Sequence, residues 1–159
     1  MPVQVFRAPL RSRLDSVDPG LALDRAFALG LCGVGGRLAA PPHSREDALA
    51  HTAEEYDERV ARRLERFMAV ADGSVVWTRD ADGMFRRGTL TGPWSYDADP
   101  AAYAADLVNV RDCDWDVEPL TEHRVPPAVA AAYRRGGRNF QRIREAASRV
   151  AGAPPGGTV

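Results

Sequence analysis

Apolar positions recur at helical spacing early in the chain and at strand spacing later. Val3 to Phe6 is a short apolar run that predicts an edge strand. Asp18-Pro19 predicts a helix start, because Asp accepts backbone N–H groups as an N-cap and Pro fits the first turn; this helix runs to Leu29 and stops at Gly30. Leu31 to Gly36 is compact and apolar with three glycines, and reads as a buried strand. Ser44-Arg-Glu-Asp47 has the form of a capping box. It opens one long helix reaching Val70, on which Leu49, Thr52, Tyr56, Val60, Leu64, Phe67 and Met68 form an apolar stripe. Its arginine row, Arg59, Arg62, Arg63 and Arg66, reads as a solvated face.

From Asp72 the rhythm changes to strands. Ser74 to Arg79 and Met84 to Thr91 flank Asp80-Ala-Asp-Gly83, a hairpin signal with a glycine available for positive φ. Gly92-Pro93 turns the chain into Trp94 to Tyr96, and Leu107 to Val110 and Cys113 to Val117 predict two further strands. Pro126 to Arg135 predicts a proline-opened helix, followed by a strand over Phe140 to Ile143 and a short helix. The expected fold class is α+β, a small β-barrel or strongly curled mixed sheet with flanking helices. Residues 1–150 are expected to form one domain and 151–159, rich in Gly and Pro, a disordered tail.

Composition changes this picture in two ways. The 159 residues carry a net charge of −1, but every one of the 21 basic residues is arginine. Without lysine there is no Schiff-base chemistry, no lysine nucleophile and no P-loop lysine. The charge is also uneven: residues 31–122 hold ten arginines against eighteen acids, whereas residues 123–159 hold seven arginines against Glu145 alone. Such asymmetry points to a local anion-binding surface, or to arginines paired with the acidic middle of the chain. No stretch approaches the ~20 apolar residues of a membrane helix, and the N-terminus has no apolar signal core. Cys32 and Cys113 are isolated in sequence, so neither a disulfide framework nor a zinc site is expected, and the expected location is the cytoplasm.

Asp112, Asp114, Asp116 and Glu118 alternate with apolar residues and fall on one sheet face, which reads as solvated. A metal-dependent nuclease could use such carboxylates, but its site usually adds a lysine. His43, His51 and His123 are scattered. Together these observations weigh against an enzyme and imply no cofactor or metal.

Four blocks stand in order: Gly30-Leu-Cys-Gly-Val-Gly-Gly36; the helix ending in Arg66-Phe67; Gly73 to Asp80 leading into Arg87-Gly-Thr-Leu-Thr-Gly-Pro-Trp-Ser-Tyr-Asp97; and Leu107-Val-Asn-Val-Arg111 with Trp115, Val125-Pro-Pro and Asn139-Phe-Gln-Arg-Ile143. Over residues 20–143 the chain resembles the PUA-like domains of the EVE and YTH-like type, and is similar to those fused to Mrr- and McrB-like restriction systems. It departs from them at Gly36, where an aromatic is expected after Gly-x-Gly. The resemblance implies a small barrel whose pocket accepts a nucleobase, often a modified one, lifted from a DNA or RNA strand. It also implies partnership with a nuclease or another defence protein.

On that reading Gly33, Gly35 and Gly36 let a base approach the backbone. Trp77, Trp94, Tyr96 and Trp115 are the stacking candidates, and Asn109 supplies a paired donor and acceptor. Arg37, Arg79, Arg86, Arg87, Arg111 and Arg138 are the phosphate candidates. The tryptophans have a core reading as well, strongest for Trp77. The competing function is a regulatory or protein-interaction subunit that keeps the fold without base binding. An arginine-lined open pocket would favour the reader and a pocket filled by the protein's own side chains the interaction subunit; the most informative observation is whether Gly33 to Gly36, Trp94 and Tyr96 surround one open cavity.

Overall fold

A computed structural model describes residues 3–144. The expected tail at 151–159 and the short helix after Ile143 lie outside these residues. The elements in chain order are β1 (Val5–Arg7), α1 (Pro19–Leu29), β2 (Leu31–Val34), α2 (Arg45–Glu55), α3 (Glu58–Ala69), β3 (Val75–Arg79), β4 (Phe85–Leu90), β5 (Ser95–Tyr96), α4 (Pro100–Ala105), β6 (Asn109–Trp115), α5 (Pro127–Arg134) and β7 (Gln141–Arg142), with a 3₁₀ turn at Glu122–Arg124 before α5. The strands form one mixed sheet in the order β2-β6-β4-β3-β1-β7, with β5 paired to β6. The sheet is strongly curled into a half-barrel, and the fold is α+β.

β1 is not an edge strand. It runs parallel to β3, with Phe6 opposite Val76, and antiparallel to β7. Both of its faces are covered: Val5 packs with Trp77, Phe85 and Val129 beneath α5, whereas Phe6 packs with Leu64, Phe67 and Val76 beneath α3. A third cluster, built on Ala22, Ala26, Leu107 and Val110, seats α1 against α4 and the end of β6. Because helices cover both sheet faces, β3 is buried from Val75 to Thr78 rather than alternating.

The helix boundaries follow from their caps. The Asp18 side chain accepts from Gly20 N, Pro19 opens α1, and Gly30 closes it at φ 67°. The single long helix expected over 44–70 is two. Tyr56 leaves helical geometry (φ −118°, ψ −96°), and Asp57 caps a new helix by accepting from Val60 N. The Asp99-Pro100 pair uses the same cap as Asp18-Pro19 to open α4, a helix absent from the sequence reading. The two strands expected around Arg111 are one continuous strand, β6, paired with β2, β4 and β5. The hairpin stands as expected, with Gly83 at φ 81° and the Asp80 carboxylate accepting from Asp82 N and Met84 N. Asp112 and Asp114 are exposed on β6, and no metal-ligating cluster of carboxylates, His and Cys occurs among the described residues. None of the described helices is long and apolar enough to cross a membrane.

Cys32 and Cys113 are both buried and free. Burial pushes Cys113 up to about 12, helped by the Asp114 carboxylate, and pushes Cys32 well above its ordinary 9.0. A folded-state value above the unfolded one stabilises the fold fully below the unfolded value, near pH 9.0, and that stability is lost as pH rises from there towards 12. Two results are expected: slow reaction of both thiols with a disulfide reagent at about pH 8 until denaturant is added, and a denaturation midpoint that falls above about pH 9. Native thiols reacting as fast as denatured ones would contradict this packing.

Candidate nucleobase cavity

A cavity of about 370 Å³ opens between the C-terminal end of β2 and the α2–α3 junction. Its floor is Gly33 to Gly36, and its walls come from Leu10, Tyr56, Val60, Leu64, Leu107 and Phe140. That volume lies within the ~300–1,000 Å³ of small-molecule sites.

The floor is built by close approach. A Cβ on Gly33 would lie 2.5 Å from the Asn109 carbonyl oxygen, and one on Gly35 would lie 2.6 Å from Asp106 Oδ2. Gly36 sits at φ 110°, in the region that favours glycine. The loop is anchored by Asp106, whose Oδ1 accepts from Gly36 N and Arg37 N, each at 3.0 Å, and whose Oδ2 accepts from Ser12 Oγ at 2.6 Å. Leu10 (φ 53°) and Asp106 (φ 51°) are the two non-glycine residues with positive φ among the described residues, and both line this cavity. Strained backbone of this kind collects at functional sites.

Two aromatic rings face the space. Tyr56 closes α2 and donates its hydroxyl to the Arg37 carbonyl at 2.7 Å. Burial, followed by the Asp106 charge, pushes this phenol up to about 12, so it remains a neutral donor. Phe140 is stacked on Phe6 at 4.9 Å and meets Phe67 edge-on at 5.0 Å, which fixes its ring. Thr52, one turn before Tyr56 on α2, also lines the cavity; its hydroxyl is buried without a hydrogen-bond partner, and the residue is only 2% exposed. An unpaired buried hydroxyl costs about 1–3 kcal/mol.

The far wall is held by Arg7, a buried cation with no carboxylate partner among the described residues. Its guanidinium donates to the carbonyls of Ala132, Gly136 and Asn139 and to Gln141 Oε1. These bonds set the path of residues 136–141 and so the position of Phe140. Burial lowers the Arg7 guanidinium below its ordinary value.

The structure therefore brings Gly33, Gly35, Gly36 and Arg138 to one cavity and disperses the other sequence candidates. Trp77, 3% exposed, packs in the core beneath α5. Trp94 donates its indole N–H to Asn109 Oδ1 at 3.0 Å, and Asn109 donates on to the Gly35 carbonyl at 3.0 Å. Through these bonds the half-buried Trp94 and the buried Asn109 brace the glycine loop. Trp115 lies across Gly88, meets Phe27 edge-on and donates to the Leu31 carbonyl. Tyr96 accepts from Leu38 N at 3.0 Å and lines a separate hollow of about 280 Å³ with Tyr103 and Pro100.

Among the arginines, Arg111 is buried, Arg37 covers the Tyr103 ring, Arg79 covers Phe85 and Arg86 covers Phe27. Arg87 lies 4.0 Å from Asp116. None of these five lines the cavity. The sequence reading overlooked Tyr56, Thr52, Asp106, Arg13 and Arg63 as site residues. The signal for Tyr56 was the Asp57 N-cap, which ends the preceding helix and leaves a tyrosine at the break.

Compared with known proteins, the chain matches no family model, no curated protein and no solved structure.

Proposed function

We propose that the protein is a non-catalytic nucleic-acid-binding module that takes a nucleobase, in a modified form, into the cavity over Gly33 to Gly36. The observation that carries this reading is the open cavity of about 370 Å³ over Gly33 to Gly36, lined by Tyr56 and Phe140 and ringed by arginines. Aromatic faces offset the cost of unstacking an extruded base, each stacked base contributing about 1–3 kcal/mol. The floor of Gly33 to Gly36, without side chains, lets the base lie close against the backbone. The curled half-barrel with flanking helices is compatible with the PUA-like architecture expected from the sequence motifs. The cavity over Gly33 to Gly36 is open and arginine-lined, which supports a reader, whereas Trp94 and Tyr96 lie outside it.

The test is binding of short single strands, DNA and RNA, with and without modified bases, at low salt. Tyr56→Ala is expected to weaken binding about 10–100-fold, the equivalent of one lost stack. Tyr56→Phe, which keeps the ring and loses the bond to Arg37, is expected to retain most of it. Trp94→Ala is expected to lower stability instead, through Asn109. If no strand in the panel binds, the reader assignment is wrong.

A further inference from the structure

The mouth of the cavity carries a charge arrangement that base recognition alone does not use. Arg11, Arg13, Arg63 and Arg138 all line it, from three separate segments. Ser12 is buried and turned inward to Asp106, and this alternation leaves Arg11 and Arg13 exposed at the rim. Arg138 donates to the Ser12 carbonyl at 3.2 Å, and Arg13 donates to Asn139 Oδ1 at 3.2 Å. The two loops are thus tied to each other with their cations on one side. Arg63 reaches the same mouth from α3.

These cations are poorly neutralised. None of Arg11, Arg13 and Arg63 has a carboxylate within ion-pair distance among the described residues, and Arg138 meets only Asp15, which is 91% exposed. The two acids that line the cavity are already engaged, Asp106 by Ser12 and two backbone N–H groups, Asp57 by Val60 N. Burial lowers the Arg63 guanidinium first, and the like charges of Arg13, Arg59 and Arg66 add to this against Asp57. Crowded cations without counter-charges are stabilised by an anion. Guanidinium forks also suit phosphate oxygens better than other basic side chains do.

We propose that Arg13, Arg63 and Arg138 form a phosphate clamp at the cavity mouth, gripping the phosphodiester of the nucleotide whose base enters. This rests on the base-binding reading above and deepens it: the ligand is a strand, held by its backbone, rather than a free base or nucleoside. A single strand is favoured over a duplex because the clamp and the glycine floor belong to one concave site, which a stacked, paired base cannot enter without extrusion.

The experiment measures binding of a labelled single strand, made as DNA and as RNA, over a range of salt concentrations. A second pair of strands carries abasic residues in place of the bases. Arg63→Gln is expected to lower affinity about tenfold, as loss of one charge-assisted hydrogen bond implies. It is also expected to flatten the salt dependence by about 0.7 per lost phosphate contact, and Arg13→Gln with Arg63→Gln by about twice that. Arg62→Gln, exposed on the same helix and outside the cavity, is the control and is expected to change neither. Thermal melting shows that each variant is folded. The tighter of the DNA and RNA arms names the strand.

If Arg13→Gln with Arg63→Gln leaves affinity and salt slope unchanged while Tyr56→Ala still loses binding, the clamp is wrong and the base site stands. If abasic strands bind as well as base-bearing ones with an Arg63-dependent slope, the base reading fails and the phosphate contact stands. No binding to any strand overturns both.

Discussion

Replacing Arg111 with leucine is expected to cost about 3–5 kcal/mol of stability, because buried carbonyls lose their donor at about 1–3 kcal/mol each, and to lower the melting temperature by roughly 10 °C. The side chain is 2% exposed and spends every nitrogen internally. Nε donates to the Gly92 carbonyl at 2.8 Å; one terminal nitrogen donates to the carbonyls of Phe67 at 3.0 Å and Val70 at 2.7 Å; the other meets Asp72 at 2.8 Å. Phe67 and Val70 stand at the C-terminal end of α3, where carbonyls lack intrahelical partners and the helix dipole favours a cation. Arg111 therefore caps α3 from inside the sheet and ties it to the turn after β4. Leucine leaves the Gly92 and Val70 carbonyls without this donor and Phe67 with only its 3.4 Å bond from Val70 N, and lysine, with no planar fork, is expected to recover only part of the loss. Asp72→Asn is the discriminating control. The Asp72 side chain is 64% exposed, so the ion pair itself is worth no more than about 1 kcal/mol. A calorimetric loss for Asp72→Asn as large as that for Arg111→Leu would refute the capping account.

Arg111 also shows where sequence reading reaches its limit. An arginine in a strand of a sheet expected to bind a ligand looks like a phosphate contact until the neighbouring elements are placed. Local grammar was legible: Asp18-Pro19, Gly30 and the Asp80–Gly83 turn all stand where their backbone chemistry put them. Asp99-Pro100 carried the same start signal but opened only a six-residue alanine-rich helix with no apolar stripe to confirm it. The break at Tyr56 was hidden because Thr52, Tyr56, Val60 and Leu64 keep a four-residue step across it, so periodicity alone reads as one helix. The glycine loop was legible as a place for close approach. The aromatic residues were not separable, since all three tryptophans and Tyr96 lie in or beside strands, and of these strands only β3 is covered on both faces. Which ring packs and which faces a cavity is decided by helix placement, a tertiary fact. Phe140 and Arg138 lay in or beside the recognised Asn139-Phe-Gln-Arg-Ile143 block, whereas Thr52 and Arg63 appeared only as members of a helix stripe and a solvated row.

Asp106→Ala is expected to couple the two properties, destabilising the fold by about 3 kcal/mol, the cost of leaving buried donors unpaired, and abolishing strand binding together. The carboxylate collects Ser12 Oγ, Gly36 N and Arg37 N, joining the loop that presents Arg11 and Arg13 to the loop that floors the cavity. It does so from φ 51°, a conformation that costs most residues about 1–2 kcal/mol but that Asp and Asn tolerate. Alanine loses all three acceptor contacts and carries the backbone cost as well. Asparagine keeps the conformation and one acceptor oxygen, so it is expected to lose about half as much, on the order of 1–2 kcal/mol. Gly35→Ala attacks the same joint from the other side, because its Cβ would stand 2.6 Å from Asp106 Oδ2 and must push the carboxylate off its donors. Chemical denaturation ranks the three, with the order alanine at 106, then alanine at 35, then asparagine at 106. Binding of the single strand should fall in that order too, because both the floor and the rim depend on this one carboxylate. An Asp106→Ala protein that melts like the parent, or that melts lower yet binds with unchanged affinity, would separate the loop anchor from the site and break the link drawn between them.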